Sequence, residues 1–239
     1  FQIKISRKLD AVRDEIDRLG LDFVDKSVVL TALILALDSV DSTLGHYASY
    51  LADWSARSAK ELVLKLPKRF ALTTENTVLR GDVFDAIRGR TFDLAYFDPP
   101  YGSDNAKMPT SRVRYNAYYH LWTTVVLNDK PALFGKANRR ADSKDSANPS
   151  VFENCRPDVV LNAIERLIAE TDARYVLLSY GANGRAAKAD LADVLAARGK
   201  RLKIVEISRA KNVMAQMTST KEWLNGDGKY KEYLFLLEK

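Results

Sequence analysis

Four consecutive residues, Asp98-Pro99-Pro100-Tyr101, place a carboxylate, two backbone carbonyls and an aromatic ring close together. We call this stretch the Pro-Pro turn. The apolar run at 92–97 before it predicts a buried strand of a parallel sheet. Neither proline can continue that strand, because neither has an N–H group to donate to the ladder. The sequence therefore predicts a stiff turn at the carboxyl edge of an α/β sheet, where such sheets bind ligands.

These groups suit the methylation of an exocyclic amine on a flat ring. Such an amine is a poor nucleophile, since its lone pair is delocalised into the ring. Acceptors aimed at both N–H bonds localise the lone pair towards an electrophilic methyl group, where charge develops. Asp98 and the Pro99 carbonyl are the predicted acceptors, while Pro100 stiffens the turn and Tyr101 stacks on the ring. The structural alternative is a turn with an incidental tyrosine.

Three stretches of the chain resemble a known enzyme family. Asp-Pro-Pro-Tyr after an apolar strand is similar to the catalytic motif of amino-methyltransferases that use S-adenosylmethionine. With Asp first, it resembles the motif of the N6-adenine DNA methyltransferases. The runs Gly81–Phe84 and Tyr115–Trp122 resemble the Dam-like class of those enzymes. More loosely, the likeness extends from about residue 5 to the end of the chain.

The resemblance implies an α/β fold, with a Rossmann-like S-adenosylmethionine-dependent methyltransferase sheet and a helical insertion. It implies transfer of a methyl group from S-adenosylmethionine to N6 of an adenine flipped out of double-stranded DNA. The enzyme would belong to a restriction-modification or related system, with a cognate restriction endonuclease as a further candidate partner. The alternatives are a methyltransferase that acts on an RNA base and a non-catalytic, DNA-binding subunit.

A second turn, Gly81-Asp82-Val83, is predicted to end a short strand just before the Pro-Pro turn and to face the same cleft. An acidic side chain there can accept from the adenine amine of S-adenosylmethionine, and a backbone N–H can donate to the ring. In the resembling family this position contacts the cofactor's adenine, and Asp98 completes the predicted cofactor set. The alternative is an ordinary Gly-Asp turn. The family's Phe-x-Gly-x-Gly loop does not occur before residue 20, and we expect it upstream of residue 1.

Residues 102–155 combine positive charge with aromatic rings, which is typical of a surface that contacts a nucleic-acid backbone and stacks bases. The candidate phosphate or guanine contacts are Arg112, Arg114, Arg139 and Arg140. The candidates for supporting the flipped base are Tyr118, Tyr119 and His120. The alternative for the segment is a solvated, partly helical excursion, and His120 is equally well explained as a packed core histidine.

Composition narrows the class of protein. The net charge of +6 is compatible with a polyanionic partner such as DNA. A single cysteine, Cys155, excludes internal disulfides and fits the reducing cytoplasm, while only two histidines make a metal site improbable. No apolar run approaches the roughly 18 residues of a membrane span.

Hydrophobic spacing predicts the elements and their division. Residues 1–20 and 77–239 are assigned to the catalytic domain, 21–76 to a helical insertion, and 102–155 to a basic, aromatic insertion that contacts DNA. Helices are predicted at 5–19, across 25–59 with an interruption near Gly45, at 158–169 and at 188–197. Strands are predicted in the stretch 77–85 and at 93–97, 175–180, 202–207 and 233–237.

Overall fold

The computed structural model describes seven ranges of the chain. They are 1–43, 45–49, 51–70, 73–102, 114–143, 150–210 and 229–239, without the side chains of 209, 210, 229 and 230. The chain forms two compact units. The helical unit consists of Phe1–Glu75 and Tyr115–Ala147, and the sheet unit consists of Asn76–Arg114 and Asn148–Lys239.

Seven helices and six strands make up the regular structure of the described ranges. The helices are α1 (Ile3–Arg18), α2 (Phe23–Asp38), α3 (Val83–Ile87), α4 (Tyr115–Tyr118), α5 (His120–Leu127), α6 (Pro157–Glu170) and α7 (Lys188–Ala196). The strands are β1 (Thr91–Phe97), β2 (Leu133–Phe134), β3 (Arg139–Arg140), β4 (Asp172–Gly181), β5 (Arg201–Ala210) and β6 (Lys229–Glu238). Among these helices, none has the length and apolar character that crossing a bilayer requires.

The helical unit is built around α2, which packs against α1 and α5. Its core includes Ile5 and Ile16 of α1 with Leu33 and Leu37 of α2. These residues recur at helical spacing, so each helix buries one apolar stripe. Because α1 belongs to this core, residues 1–20 lie in the helical unit, whereas the sequence assigned them to the sheet.

Arg13 joins α1 to the end of α5. Its side chain is 3% exposed. Nε donates to the Val125 carbonyl at 2.6 Å, and Nη2 donates to the Val126 carbonyl at 3.0 Å. The last carbonyls of a helix have no partner within the helix, so a cation here satisfies them and complements the helix dipole.

The prediction of a second helix after Gly45, which would carry Tyr47, Leu51 and Trp54, is wrong. The described residues from 45 to 55 form bends and irregular structure, and a short 3₁₀ helix follows at Ala56–Ala59. Polar side chains at 41–43 form hydrogen bonds with nearby backbone N–H groups instead. Thr43 Oγ1 accepts from the Gly45 N–H at 3.1 Å, and Ser42 Oγ accepts from the Ser55 N–H at 2.8 Å. Such side-chain bonds compete with helix formation.

The sheet unit contains a mixed four-stranded sheet in the order β1-β4-β6-β5. β1 and β4 are parallel, and β6 runs antiparallel to both β4 and β5. α6 and α7 cover one face, where Val176, Leu178, Phe235 and Leu237 are fully buried. The predicted α/β class is confirmed, as are four of the five predicted strands, at 93–97, 175–180, 202–207 and 233–237.

Two expectations for the sheet need correction. β1 was expected to be buried, but it is an edge strand of the described sheet, with Leu94 and Tyr96 more than half exposed. The stretch 77–80 forms no strand, and 83–87 is helical. Val78 is 95% exposed, so this stretch lacks the neighbour that a β-strand requires for its backbone bonds.

The contacts of Arg13 generate a stability prediction. Arg13→Ala removes one buried and one partly buried hydrogen bond from a charged donor, so we expect the free energy of unfolding to fall by about 2–4 kcal/mol. Arg7→Ala, which changes an exposed residue of the same helix, is the control and should shift stability by less than about 0.5 kcal/mol. Urea denaturation followed by circular dichroism measures both. Equal stability of the two variants would contradict the role given to Arg13.

Candidate active site

The Pro-Pro turn leaves the sheet at the carboxyl end of β1. Phe97 is the last residue of the strand and pairs with Leu178 of β4. Asp98 follows it and is exposed, whereas Pro99 is buried. The strand therefore ends where the two prolines predict. The Asp98 carboxylate is accessible to solvent, whereas Pro99 is packed in the interior.

The backbone of Tyr101 is held by the loop after β4. Its carbonyl accepts from the Arg185 N–H at 2.6 Å and from the Tyr180 hydroxyl at 3.2 Å. The Tyr180 hydroxyl in turn accepts from the Ala186 N–H at 3.1 Å, and Tyr180 is fully buried. The position of the turn is thus fixed by a satisfied, buried network.

Two glycines in that loop leave room for the tyrosine rings. A Cβ at Gly181 would lie 2.9 Å from Cδ2 of Tyr101. A Cβ at Gly184 would lie 2.3 Å from Cε1 of Tyr180 and 2.9 Å from Cβ of Tyr101. Only glycine permits these approaches without moving a ring, so the loop and the Pro-Pro turn fit together closely.

The hydroxyl of Tyr101 lies between two carboxylates, one in the Pro-Pro turn and one on β6. It is 3.0 Å from Oδ1 of Asp98 and 3.3 Å from Oε1 of Glu232 on β6. The Ser179 hydroxyl also donates to Oε1 of Glu232, at 3.0 Å. Burial, then the hydrogen bond to Asp98 and the charges of Asp98 and Glu232, raise the pKa of Tyr101. The hydroxyl therefore remains a donor.

The Gly81-Asp82-Val83 turn precedes α3 rather than following a strand. Asp82 is the N-cap residue of α3, and its Oδ1 accepts from the Phe84 N–H at 2.8 Å. Gly81 and Asp82 are exposed, and among the described residues beyond its two chain neighbours no atom lies within 4 Å of a Cβ built at Gly81. A flat ring can therefore approach here, and the second oxygen of Asp82 is an acceptor suited to its amine. The residues fit the adenine end of S-adenosylmethionine.

Of the predicted DNA contacts, Arg114 lies in the sheet unit. Arg112 lies outside the described residues. Arg114 is partly buried and donates to the backbone carbonyl of Glu153, whose carboxylate is 3.9 Å away. Nη1 of the Arg114 guanidinium is therefore bonded to Glu153 within the same unit.

In the helical unit, His120 and Arg140 are packed in the interior. His120 is 6% exposed, with Nε2 3.0 Å from the Tyr47 carbonyl oxygen, and burial lowers its pKa. Arg140 is 4% exposed, and its guanidinium contacts Asp129 at 2.5 Å and Asp142 at 2.8 Å. A guanidinium that already has two carboxylate partners offers no free charge to a phosphate, so the geometry favours structural roles for both residues.

The remaining candidates in the helical unit lie closer to solvent. Tyr119 is 38% exposed, and Tyr118 is partly buried with its ring stacked on His46 at 4.2 Å. The Arg139 guanidinium lies over the Phe134 ring at 4.6 Å, on the hairpin of β2 and β3. Tyr119 and Arg139 therefore keep the accessibility that a nucleic-acid contact requires.

Sequence reasoning missed Ser179, Arg185 and Glu232. Arg185 is 8% exposed, and its Nε and Nη2 have no hydrogen-bond partner within the described chain. The run Ser179-Tyr180-Gly181 at the end of a predicted strand is a local signal for part of this set. Glu232 carries no such signal, because its place depends on the pairing of Gly181 with Glu232 across β4 and β6.

Comparisons with known proteins show what the chain is similar to. The family model for the D12 class of N6 adenine-specific DNA methyltransferases matches residues 2–183. The chain is 25% identical over 205 residues to the type II methyltransferase M.FokI of Planomicrobium okeanokoites, covering 83% of this chain and 29% of that one. It is 27% identical over 205 residues to the type II methyltransferase M.NlaIII of Neisseria lactamica, covering 84% and 56%.

A third relative, the modification methylase LlaI of Lactococcus lactis subsp. lactis, is 25% identical over 229 residues. The match covers 93% of this chain and 34% of that protein. The chain thus spans about half or less of the length of these relatives. No solved structure matches it at a significant level.

The close approach at Gly184 generates a second prediction. Gly184→Ala forces a methyl group against the buried Tyr180 ring, and such overpacking costs about 1–3 kcal/mol. We expect Tm to fall by about 3–10 °C. Gly81→Ala, where the new Cβ meets open space, is the control and should leave Tm nearly unchanged. Calorimetry compares the two, and an unchanged Tm for Gly184→Ala would contradict the close packing.

Proposed function

Because the chain belongs to the D12 class of N6 adenine-specific DNA methyltransferases, we propose that it transfers a methyl group from S-adenosylmethionine to N6 of adenine in DNA. One observation carries the proposal. Asp98 ends β1 as an exposed carboxylate beside the hydroxyl of Tyr101, and the backbone of the turn is held from beneath. The turn therefore brings hydrogen-bond acceptors and the Tyr101 ring close together, as the methylation of an exocyclic amine requires.

We assign the sheet to a Rossmann-like methyltransferase fold, with the helical unit as its insertion. The parallel pair β1 and β4 with α6 between them along the chain, followed by the antiparallel β6, supports this assignment. Gly81, Asp82 and Val83 would hold the adenine of the cofactor, with Asp98 near its reactive end. When bound, S-adenosylmethionine supplies an electrophilic methyl group.

The Pro-Pro turn binds and orients the target base. An adenine within a duplex cannot reach the turn, so it is flipped out at a cost of a few kcal/mol. Asp98 and the Pro99 carbonyl accept hydrogen bonds from the two N–H groups of the amine. Pro100 keeps the turn stiff, and Tyr101 stacks on the ring. No separate base needs to deprotonate the nitrogen first, since the methylated amine is acidic while it carries positive charge and loses its proton afterwards.

Contacts to the DNA backbone are proposed for four arginines. The candidates are Arg112, Arg114, Arg139 and Arg185, with Tyr119 available for stacking. Arg185 is favoured because its buried Nε and Nη2 have no hydrogen-bond partner among the described residues, and a buried guanidinium is stable only when a partner satisfies it. A phosphate next to the flipped nucleotide would supply that partner. The net charge of +6 favours such an anion.

The biological setting is proposed from the relatives. Two of those described above are named type II methyltransferases and the third a modification methylase. We place this chain in the cytoplasm, in the modification half of a restriction-modification system, with a cognate endonuclease as partner. In such a system the methylated site would resist cleavage.

Substitution of Asp98 tests the mechanism. Asp98→Ala removes the acceptor where charge develops, so we expect single-turnover methylation to fall at least about 100-fold. DNA affinity should be retained, since the phosphate contacts are unchanged. Asp93→Ala, an exposed carboxylate on the same strand, is the matched control and should keep full activity. An Asp98→Ala variant as active as Asp93→Ala would refute the assigned role.

A second experiment tests the substrate. The full-length protein is incubated with labelled S-adenosylmethionine and with unmethylated genomic DNA or total RNA. We expect label in DNA, as N6-methyladenine identified by mass spectrometry of the nucleosides. Label confined to RNA would favour the RNA enzyme, and label in cytosine would contradict the choice of base. Absence of cofactor binding by calorimetry would favour a non-catalytic subunit.

A further inference from the structure

The Tyr101 hydroxyl has one proton and two carboxylates that can accept it. Oδ1 of Asp98 lies at 3.0 Å and Oε1 of Glu232 lies at 3.3 Å. A phenol hydroxyl donates a single hydrogen bond, so the two acceptors compete for the same proton. The raised pKa of Tyr101 ensures that this proton is present throughout the ordinary pH range.

The choice of acceptor matters for the reaction proposed above. Asp98 is the carboxylate assigned to the target amine. When the Tyr101 hydroxyl donates to Asp98, one lone pair of Oδ1 is occupied and its basicity towards the amine is reduced. When the hydroxyl donates to Glu232, Oδ1 of Asp98 is released.

We propose that Glu232 is a positioning residue that draws the Tyr101 hydroxyl away from Asp98, so that Asp98 can accept the N–H bond of the target amine. This inference rests on the proposed function and adds a residue to it. Glu232 acts through Tyr101 and touches neither the base nor the methyl group. The hydroxyl hydrogen turns about the C–O bond, so the ring keeps the position needed for stacking.

The position of Glu232 is fixed by the sheet. Glu232 pairs with Gly181 at the carboxyl end of β4, and this register places its carboxylate at the same edge of the sheet as Asp98. Ser179, only 2% exposed, donates its hydroxyl to Oε1 of Glu232 at 3.0 Å. A carboxylate oxygen can accept more than one hydrogen bond, so Ser179 orients Glu232 without preventing it from accepting from Tyr101.

The arrangement also keeps the site free of an unsatisfied donor. Without Glu232, Asp98 would be the one carboxylate left within hydrogen-bonding distance of the hydroxyl among the described residues, and the two would remain bonded. The amine would then share the Asp98 carboxylate with an existing charge-assisted hydrogen bond, which makes that carboxylate a weaker acceptor for the amine. We expect this competition to slow the reaction about tenfold.

A double-mutant cycle tests the inference in the full-length protein. The variants are Glu232→Gln, Tyr101→Phe and the two combined, compared by single-turnover methylation at saturating DNA. We expect Glu232→Gln to lower the rate about tenfold with little change in DNA affinity. In the Tyr101→Phe background, which lacks the hydroxyl, the same substitution should have no effect. Glu238→Gln, on the same strand but away from the turn, is the matched control.

Two other outcomes would contradict the inference. An equal loss from Glu232→Gln in both backgrounds would mean that Glu232 supports the sheet alone, and it would overturn the inference while leaving the proposed function intact. An inactive wild-type protein would refute the proposed function and the inference with it. If Glu232→Gln does not fold, Ser179→Ala replaces it, and its effect on the rate must likewise vanish in the Tyr101→Phe background.

Discussion

The pairing of β4 on both sides is the constraint on which the site depends. A parallel neighbour, β1, delivers the Pro-Pro turn to the edge of the sheet, and an antiparallel neighbour, β6, delivers Glu232 to the same edge. β4 itself supplies Ser179 and the loop that holds Tyr101. A shift of one residue in either ladder would move these side chains to the opposite face.

Local patterns predicted those elements whose hydrophobic period agrees with their burial. α1, α6 and α7 show clear helical spacing, and β4, β5 and β6 are short apolar runs, so their existence followed from the sequence. The errors have tertiary causes. Tyr47, Leu51 and Trp54 have helical spacing, but the polar side chains at 41–43 bind the nearby backbone instead. Val78 and Leu79 look like a strand but have no neighbour to pair with in the described chain.

The candidate site was predictable only in its contiguous part. Asp98 to Tyr101 are adjacent in sequence, and the chemistry of the motif can be argued from the residue types alone. Glu232 is 131 residues from Tyr101, so only the register of β6 reveals it. Arg140 and His120 have the residue types of DNA contacts, yet burial and ion pairing depend on partners that a local pattern does not contain.

The strand order has a consequence for biosynthesis. β6 is the last of the four strands to leave the ribosome, but it lies between β4 and β5 in the sheet. Until it has been made, β4 has an unpaired edge and β5 has no partner, and exposed edges of this kind invite aggregation. A nascent chain therefore cannot form the contact between Tyr101 and Glu232, and the protein acquires that part of its site only as synthesis passes the final strand.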